Sequence, residues 1–311
     1  MRWGLFGKDN DKGLGTLTRE YIEYLSPDKV YIMEDDRTLH SISGAVYRRD
    51  LSALPDFLDT LDVVVLLETP HQAVIRQARQ RGIRSIVKVN YEFLPAELHN
   101  KPDLFLCSSS LNYGQVHYEN KILIPDPVDT SRFRYKQRRK VRTVLHNAGT
   151  LGIGGANGTM ELLEAMKYTT TPIHLIVNSQ VPIPEARNTT VRVKSYEDNA
   201  DMFSEGEVFV SPQKFRATSL PTQEAMASGM PVLATDIQPF NEFCQFLFPS
   251  SGSTKEFLSR PIDVAIIDPK VLAKALDNLY GKDVSEASKK ARRYAQSISW
   301  RALQKEYLKV I

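Results

Sequence analysis

Short apolar runs of strand length alternate with amphipathic helical stretches along most of this chain, and that rhythm restricts its fold more than any other feature. RWGLFG is followed by a helix over 15–25, then KVYIM, DVVVLLE, a helix over 71–81, SIVKVN and LFLCSS. Strands separated by helices do not pair as hairpins, so the pattern predicts a parallel sheet covered by helices on both faces. HLIVNS, VRVKS, VFVSP, PVLATD and VAIID repeat the rhythm in the second half. From 269 onward the pattern is helical: KVLAKALDNLY, then 285–296, then a last helix after Ser299 and Trp300.

Between the two series lies 124-IPDPVDTSRF-133, rich in proline and turn residues. At 311 residues the chain has room for two domains of ordinary size. The expected division is 1–126, 127–290 and a closing segment 291–311 that packs back on the first domain. The fold class is α/β, with two tandem doubly wound, Rossmann-like domains. Sheets of this type bind ligands outside the carboxyl ends of their strands, which places the expected site between the halves.

The 42% hydrophobic and 25% charged content supports a core and argues against disorder. The opening MRWGLFGKDND becomes charged too soon for a signal peptide, and no apolar run approaches the ~18 residues of a membrane span. The expectation is a cytoplasmic protein with no membrane partner. Cys107 and Cys244 stand in unrelated contexts without ligand spacing and read as core thiols.

Net charge is +3, but Arg132 to Arg142 (RFRYKQRRKVR) holds seven basic residues and no acidic one. The remainder has 33 basic against 37 acidic residues, so the excess belongs to this segment. It fits either a face for a polyanion such as DNA or a solvated linker.

The stretch 216-RATSLPTQEAMASGMPVLATD-236 is the most informative. Pro221 suits the first turn of a helix over 221–228, Gly229 suits its C-terminal cap, and 230–234 has strand character. The loop of Thr218, Ser219 and Leu220 would then sit at a helix N-terminus, where backbone amides and the helix dipole favour an anion. A second loop, with Gly149, Gly152, Gly154, Gly155 and Gly158, follows the strand VLHNAG and admits close approach of backbone to a phosphate, or serves as a tight turn.

SLPTQEAMASGMPVLATD, with VFVSP before it, resembles the nucleotide-sugar glycosyltransferases of the GT-B fold, in the retaining, group 1, Glu-x7-Glu type. IPDPVDTSRF is similar to the interdomain segment of that family. HNAGTLGIGGANGTMELLEA resembles its first donor-domain strand, loop and helix, and IDPKVLAKALDNLY and SWRALQKEYLKV its closing helices. The likeness covers 124–311; the first half matches in rhythm alone. A narrower likeness is to bacteriophage-encoded members, with loops reading G-x-x-N-G-T and S-L-P-x-Q-E-A.

The resemblance implies GT-B architecture with an interdomain cleft and a nucleotide-diphosphate sugar as co-substrate, without cofactor or metal. Amides of Thr218, Ser219 and Leu220 would hold the diphosphate, and Glu224 would accept hydrogen bonds from the ribose hydroxyls; a solvated helix glutamate is the bland alternative. The first glutamate of the motif falls at Arg216, so its contact with the sugar does not carry over. Arg216 then faces an anionic sugar, a phosphate or solvent. Where the family has Arg and Lys on the glycine loop, this chain has Thr150 and Asn157, and Lys214 can replace some of the charge.

In the first half, Gly13 and Gly15 follow the first strand, as a donor-facing loop or a plain turn. Glu68 and Asn90 end strands, and Glu92 follows Asn90; all three are catalytic candidates by strand-end placement. His71 reads as a helix-start residue. The EDD at 34–36 reads as a helix cap and not as a metal site, and GLG at 13–15 lacks the rest of a dinucleotide fingerprint.

The expected activity is retaining transfer of a hexosyl or pentosyl group to an acceptor hydroxyl, with hydroxymethylated pyrimidine in phage DNA as first candidate. In a phage-encoded protein the site of action would be the host cytoplasm. A protein or small-molecule acceptor, a nucleotide-sugar-binding protein without catalysis, and a nucleotide-sugar epimerase are the rival readings. Nothing in the sequence fixes the oligomeric state.

Overall fold

A computed structural model describes residues 1–196 and 198–311. It divides the chain into two compact units: Met1–Asp126 with Phe257–Arg260 and Trp300–Ile311, and Pro127–Glu256 with Pro261–Ser299. The segment 291–299, expected with the C-terminal helix, thus belongs to the second unit.

The first unit contains β1 (Trp3–Gly7), α1 (Gly13–Leu25), β2 (Lys29–Met33), β3 (Val46–Arg48), α2 (Leu54–Leu58), β4 (Val63–Glu68), α3 (Gln72–Gln80), β5 (Arg84–Val89), β6 (Leu104–Cys107), α4 (Ser110–Gln115) and β7 (Lys121–Leu123). Its seven strands lie in the order β3-β2-β1-β4-β5-β6-β7, and the pairings are parallel. VVVLL in β4 is buried throughout, as a central strand covered on both faces must be.

The second unit contains β8 (Thr143–Gly149), α5 (Thr159–Ala165), β9 (His174–Ser179), β10 (Thr189–Val193), β11 (Val208–Ser211), α6 (Leu220–Ala227), β12 (Val232–Thr235) and β13 (Phe246–Phe248). Six strands run β10-β9-β8-β11-β12-β13, again parallel. VAIID, expected in this sheet, instead contributes Val264 and Ala265 to β15 (Pro261–Ala265), which pairs with β14 (Ser253–Phe257) in a separate ribbon. Residues 253–257 are exposed throughout, whereas Ile262, Val264 and Ala265 of β15 are buried, so β15 packs inward through one face while pairing outside the main sheet. The helices α7 (Pro269–Leu279), α8 (Ser285–Ser297) and α9 (Trp300–Val310) close the chain.

Each unit has its own core. Phe6, Tyr31, Phe57, Leu66, Val87 and Phe105 centre the first; Val144, Leu162, Leu175, Val210, Leu233 and Leu276 centre the second. In both sheets the strand order reverses beside the first strand, between β1 and β4 and between β8 and β11. Loops leaving adjacent strands in opposite directions open a crevice there, which fixes where a ligand site can form.

α9 returns to the first unit through aromatic packing on α1. The Trp300 ring meets Tyr21 edge-on and stacks on Tyr24, and its Nε1 donates to Glu20 at 2.8 Å. Tyr307 also meets Tyr21 edge-on, and both Trp300 and Tyr307 are buried. Cys107 is a core thiol that burial pushes up to about 12, whereas Cys244 is half-buried, contrary to expectation.

Candidate functional site

The two loops expected to hold a diphosphate meet at the switch point of the second unit. The segment after β11 runs from Pro212 to Ser219, and the glycine loop after β8 runs from Gly149 to Gly158. Gly158 has φ +63, and a Cβ there would stand 2.0 Å from the Pro212 carbonyl oxygen. Only glycine permits that approach of the two segments. The Lys214 amide adds a hydrogen bond to Ala156 O at 2.9 Å, so the loops are joined through backbone.

α6 begins at Leu220 with Ser219 as N-cap, one residue earlier than expected. Thr222 Oγ1 lies 2.9 Å from Ser211 Oγ and 2.9 Å from Ser219 Oγ, tying the first turn to the end of β11. Thr222 and Gln223 amides bond back to Ser219 O. Among the described residues the amides of Thr218, Ser219 and Leu220 donate no hydrogen bond to the protein. Three donors at the start of a helix favour a negative ligand. The other end of α6 closes as expected: Gly229 N bonds Met226 O and Met230 N bonds Ala225 O, the double bond of a glycine-capped terminus.

Glu224 lies one turn into α6 and is only 4% exposed, which excludes the solvated helix glutamate. Asn199 Nδ2 donates to its Oε1 at 3.3 Å. Burial pushes the carboxyl up to about 7; the Asn199 hydrogen bond and the Arg132 charge act in the opposite direction, and Asp198 adds to the rise. A buried carboxyl with one long hydrogen bond has acceptor capacity for hydroxyl donors.

The remaining residues divide by role. Arg216 is half-buried, and its Nη2 would stand 2.9 Å from a Cβ at Gly152 (φ +72), so its guanidinium lies against the glycine loop. This placement at the loop excludes an arginine directed wholly to solvent. Lys214 is also near the loop but pairs with Glu161 of α5 at 2.5 Å. Asn157 donates to Ala148 O at 2.9 Å and braces the loop. Gly149 (φ +53) ends β8, and Gly154 (φ +59) faces Glu256 Oε2 at 3.6 Å from a would-be Cβ. Glu256 was not singled out in the sequence, and no motif marks it.

In the first unit Glu68 ends β4 at the switch point with φ +69, a conformation rare for a non-glycine residue. The Thr69 amide bonds Leu67 O across it at 2.9 Å. Asn90 Nδ2 donates to Glu68 Oε1 at 3.3 Å, and Asn90 Oδ1 accepts from Lys88 Nζ at 2.8 Å. Lys88 pairs in turn with Asp126 at 2.9 Å, with both side chains buried. Glu92 lies in a short turn after β5 and is 1% exposed. Sequence reasoning missed Lys88, because SIVKVN reads as an alternating strand with an outward lysine.

Gly13 and Gly15 do not form a loop. Both lie in the first turn of α1, and a Cβ at Gly15 would stand 2.0 Å from Asn10 O, so the glycine serves close packing. His71 precedes α3 as a helix-start residue, half-buried against Phe6 at 5.6 Å, and burial lowers its pKa. Asp35 of the EDD caps a turn, not a helix, accepting from the Arg37 amide at 2.9 Å.

The basic run is not wholly free surface charge. Arg138 is buried and donates to Gly206 O at 2.6 Å and Phe203 O at 2.8 Å, while Arg132 pairs with Asp198 at 2.8 Å. Arg134, Lys136, Arg139, Lys140 and Arg142 are exposed. Among the described residues no group of three or more His, Cys, Asp or Glu side chains is placed to hold a metal ion. No helix of the described residues is long and apolar enough to cross a membrane.

Residues 158–280 match the family model of glycosyl transferases group 1. By sequence, no curated protein matches the chain. Among solved structures, sucrose-phosphate synthase from Thermosynechococcus elongatus is 13% identical with a TM-score of 0.70, covering 100% of this chain and 98% of its own. HepE of Anabaena, in complex with UDP and glucose, is 9% identical with a TM-score of 0.70, covering 100% and 99%. The lipopolysaccharide outer core galactosyltransferase WaaB is 11% identical with a TM-score of 0.66, covering 99% and 98%. At these identities the likeness is one of fold: the chain has the GT-B fold, and its second unit carries the group 1 glycosyltransferase match.

Proposed function

We propose that the chain is a glycosyltransferase that takes its sugar from a nucleotide diphosphate bound on the second unit. The observation that carries this reading is the meeting, at one switch point, of the glycine loop, the unbonded amides of Thr218, Ser219 and Leu220, and the buried Glu224 carboxyl. A sugar nucleotide has a diphosphate for the amides and a ribose diol for the carboxylate. Arg216, against the glycine loop, adds positive charge where the leaving diphosphate gains negative charge. The amides need no metal to do this, and metal-independent transfer is part of the proposal.

In the retaining form of the reaction the acceptor oxygen forms a bond to the anomeric carbon on the face the diphosphate leaves. The bond from that carbon to the phosphate oxygen breaks, the acceptor proton passes to a phosphate oxygen, and the nucleoside diphosphate departs. Side chains then position the groups and stabilise charge. Glu68, held by Asn90, is the acceptor-side candidate in the first unit. Glu68→Gln with full turnover removes that role.

The acceptor we propose is a hydroxymethylated pyrimidine of DNA, on the resemblance to bacteriophage-encoded members and the exposed Arg134, Lys136, Arg139, Lys140 and Arg142. Activity on a DNA acceptor then falls steeply with salt. Activity indifferent to salt and directed to a free sugar or a protein replaces it with those classes. Arg216 in the place of a motif glutamate favours one other reading, a nucleotide-sugar-binding protein without transfer. Slow hydrolysis of a bound sugar nucleotide by the purified protein discriminates, because a pure binder releases no nucleoside diphosphate. Melting-point shifts across a panel of nucleotide sugars test the donor assignment itself.

A further inference from the structure

The first residue of the basic run belongs to the environment of Glu224. Arg132 Nη2 lies 2.8 Å from Asp198 Oδ1, the same oxygen that accepts the Ala200 amide at 3.0 Å. This holds the start of the turn over Asn199–Phe203, joining segments 66 residues apart. Asn199, the next residue, donates to Glu224 Oε1. An amide side chain on a turn points reproducibly only when its backbone is fixed. A partly exposed ion pair of this kind adds little to global stability, so its effect is local orientation.

We infer that Arg132 and Asp198 are positioning residues for the Glu224 carboxyl, holding the turn that aims Asn199 at it and setting the charge it experiences when a nucleotide's ribose arrives. The inference rests on the proposed binding of the nucleotide at Glu224. The opposite charges of Arg132 and Asp198 act on the carboxyl in opposite directions. α8 packs on α6, and its Arg292 guanidinium binds Ala227 O at the far end of α6.

The test is calorimetric titration of the full chain with UDP, GDP, ADP and TDP, followed from pH 6 to pH 9 with whichever binds most tightly. Arg132→Met is expected to weaken binding about fivefold, comparable with the loss of one modest hydrogen bond. It should also move the pH midpoint of binding upward, because the carboxyl loses a neighbouring positive charge. Asp198→Asn, which keeps an acceptor for Ala200, is expected to move the midpoint downward. Arg132→Lys should restore the midpoint. Melting points of all three should stay near that of the parent, and a purely structural role would shift them without moving the pH midpoint. If Glu224→Gln removes binding while Arg132→Met and Asp198→Asn leave affinity and midpoint unchanged, the positioning role is overturned and the nucleotide assignment stands. If no diphosphate binds, or Glu224→Gln binds as the parent does, the assignment fails and the inference with it.

Discussion

Glu224 combines burial with an ionisable group, and its pKa near 7 against an ordinary 4.5 sets two opposed consequences. The folded chain holds the proton more tightly than the unfolded chain. This group's contribution is therefore most favourable below about pH 4.5 and is lost as pH rises to about 7, a swing of up to roughly 3 kcal/mol. Glu224→Gln should accordingly raise the melting point of the unliganded protein at pH 8, read by calorimetry. The same variant should bind a nucleoside diphosphate at least about tenfold more weakly, since a neutral amide accepts from a ribose diol less strongly than a carboxylate. In the parent, nucleotide affinity should fall as pH drops below about 7, because ribose hydroxyls select the ionised form. Flat affinity from pH 6 to pH 8 would count against the ribose contact.

At the scale of elements, the contact of the glycine loop with the segment after β11 is the most demanding. Gly158→Ala places a methyl group against the Pro212 carbonyl and forces an L side chain into φ +63. The expected cost is about 2 kcal/mol or more, measured as a lower urea midpoint, with nucleotide binding lost first. Much at this scale was legible in the sequence. Alternating β and α runs gave the parallel strands, and Leu220-Pro221 with Gly229 bounded α6 to within a residue, because strand and helix periods and cap chemistry are local properties. Partners distant along the chain were not legible. Lys88 alternates like an outward residue, yet Asp126 lies across from it. Arg138 sits within a run of exposed charge, yet the carbonyls of Phe203 and Gly206 draw it inward. VAIID has strand composition, but composition does not choose between a sheet and a ribbon. Gly13 and Gly15 look like a loop because glycine marks turns, and close packing of Asn10 uses it as well.

Across the whole molecule, the first unit is completed by the last residues of the chain. Trp300 and Tyr307 are buried on α1, and the Trp300–Glu20 bond joins residues 280 apart. Trp300→Ala should destabilise the first unit by about 3–5 kcal/mol, and the transition for that unit should separate from that of the second in a chemical denaturation curve. The second unit begins at Pro127 and ends at Ser299. At its margins Val128 bridges Ser299 in parallel fashion, and the Val128 amide bonds Ile298 O at 3.1 Å. Its entrance and exit are therefore neighbours, while Phe257–Arg260 within that span is counted with the first unit. A unit whose two ends adjoin can be joined to a different partner by recutting the chain at two neighbouring points, with 257–260 as the single stretch that must be fitted to the new partner.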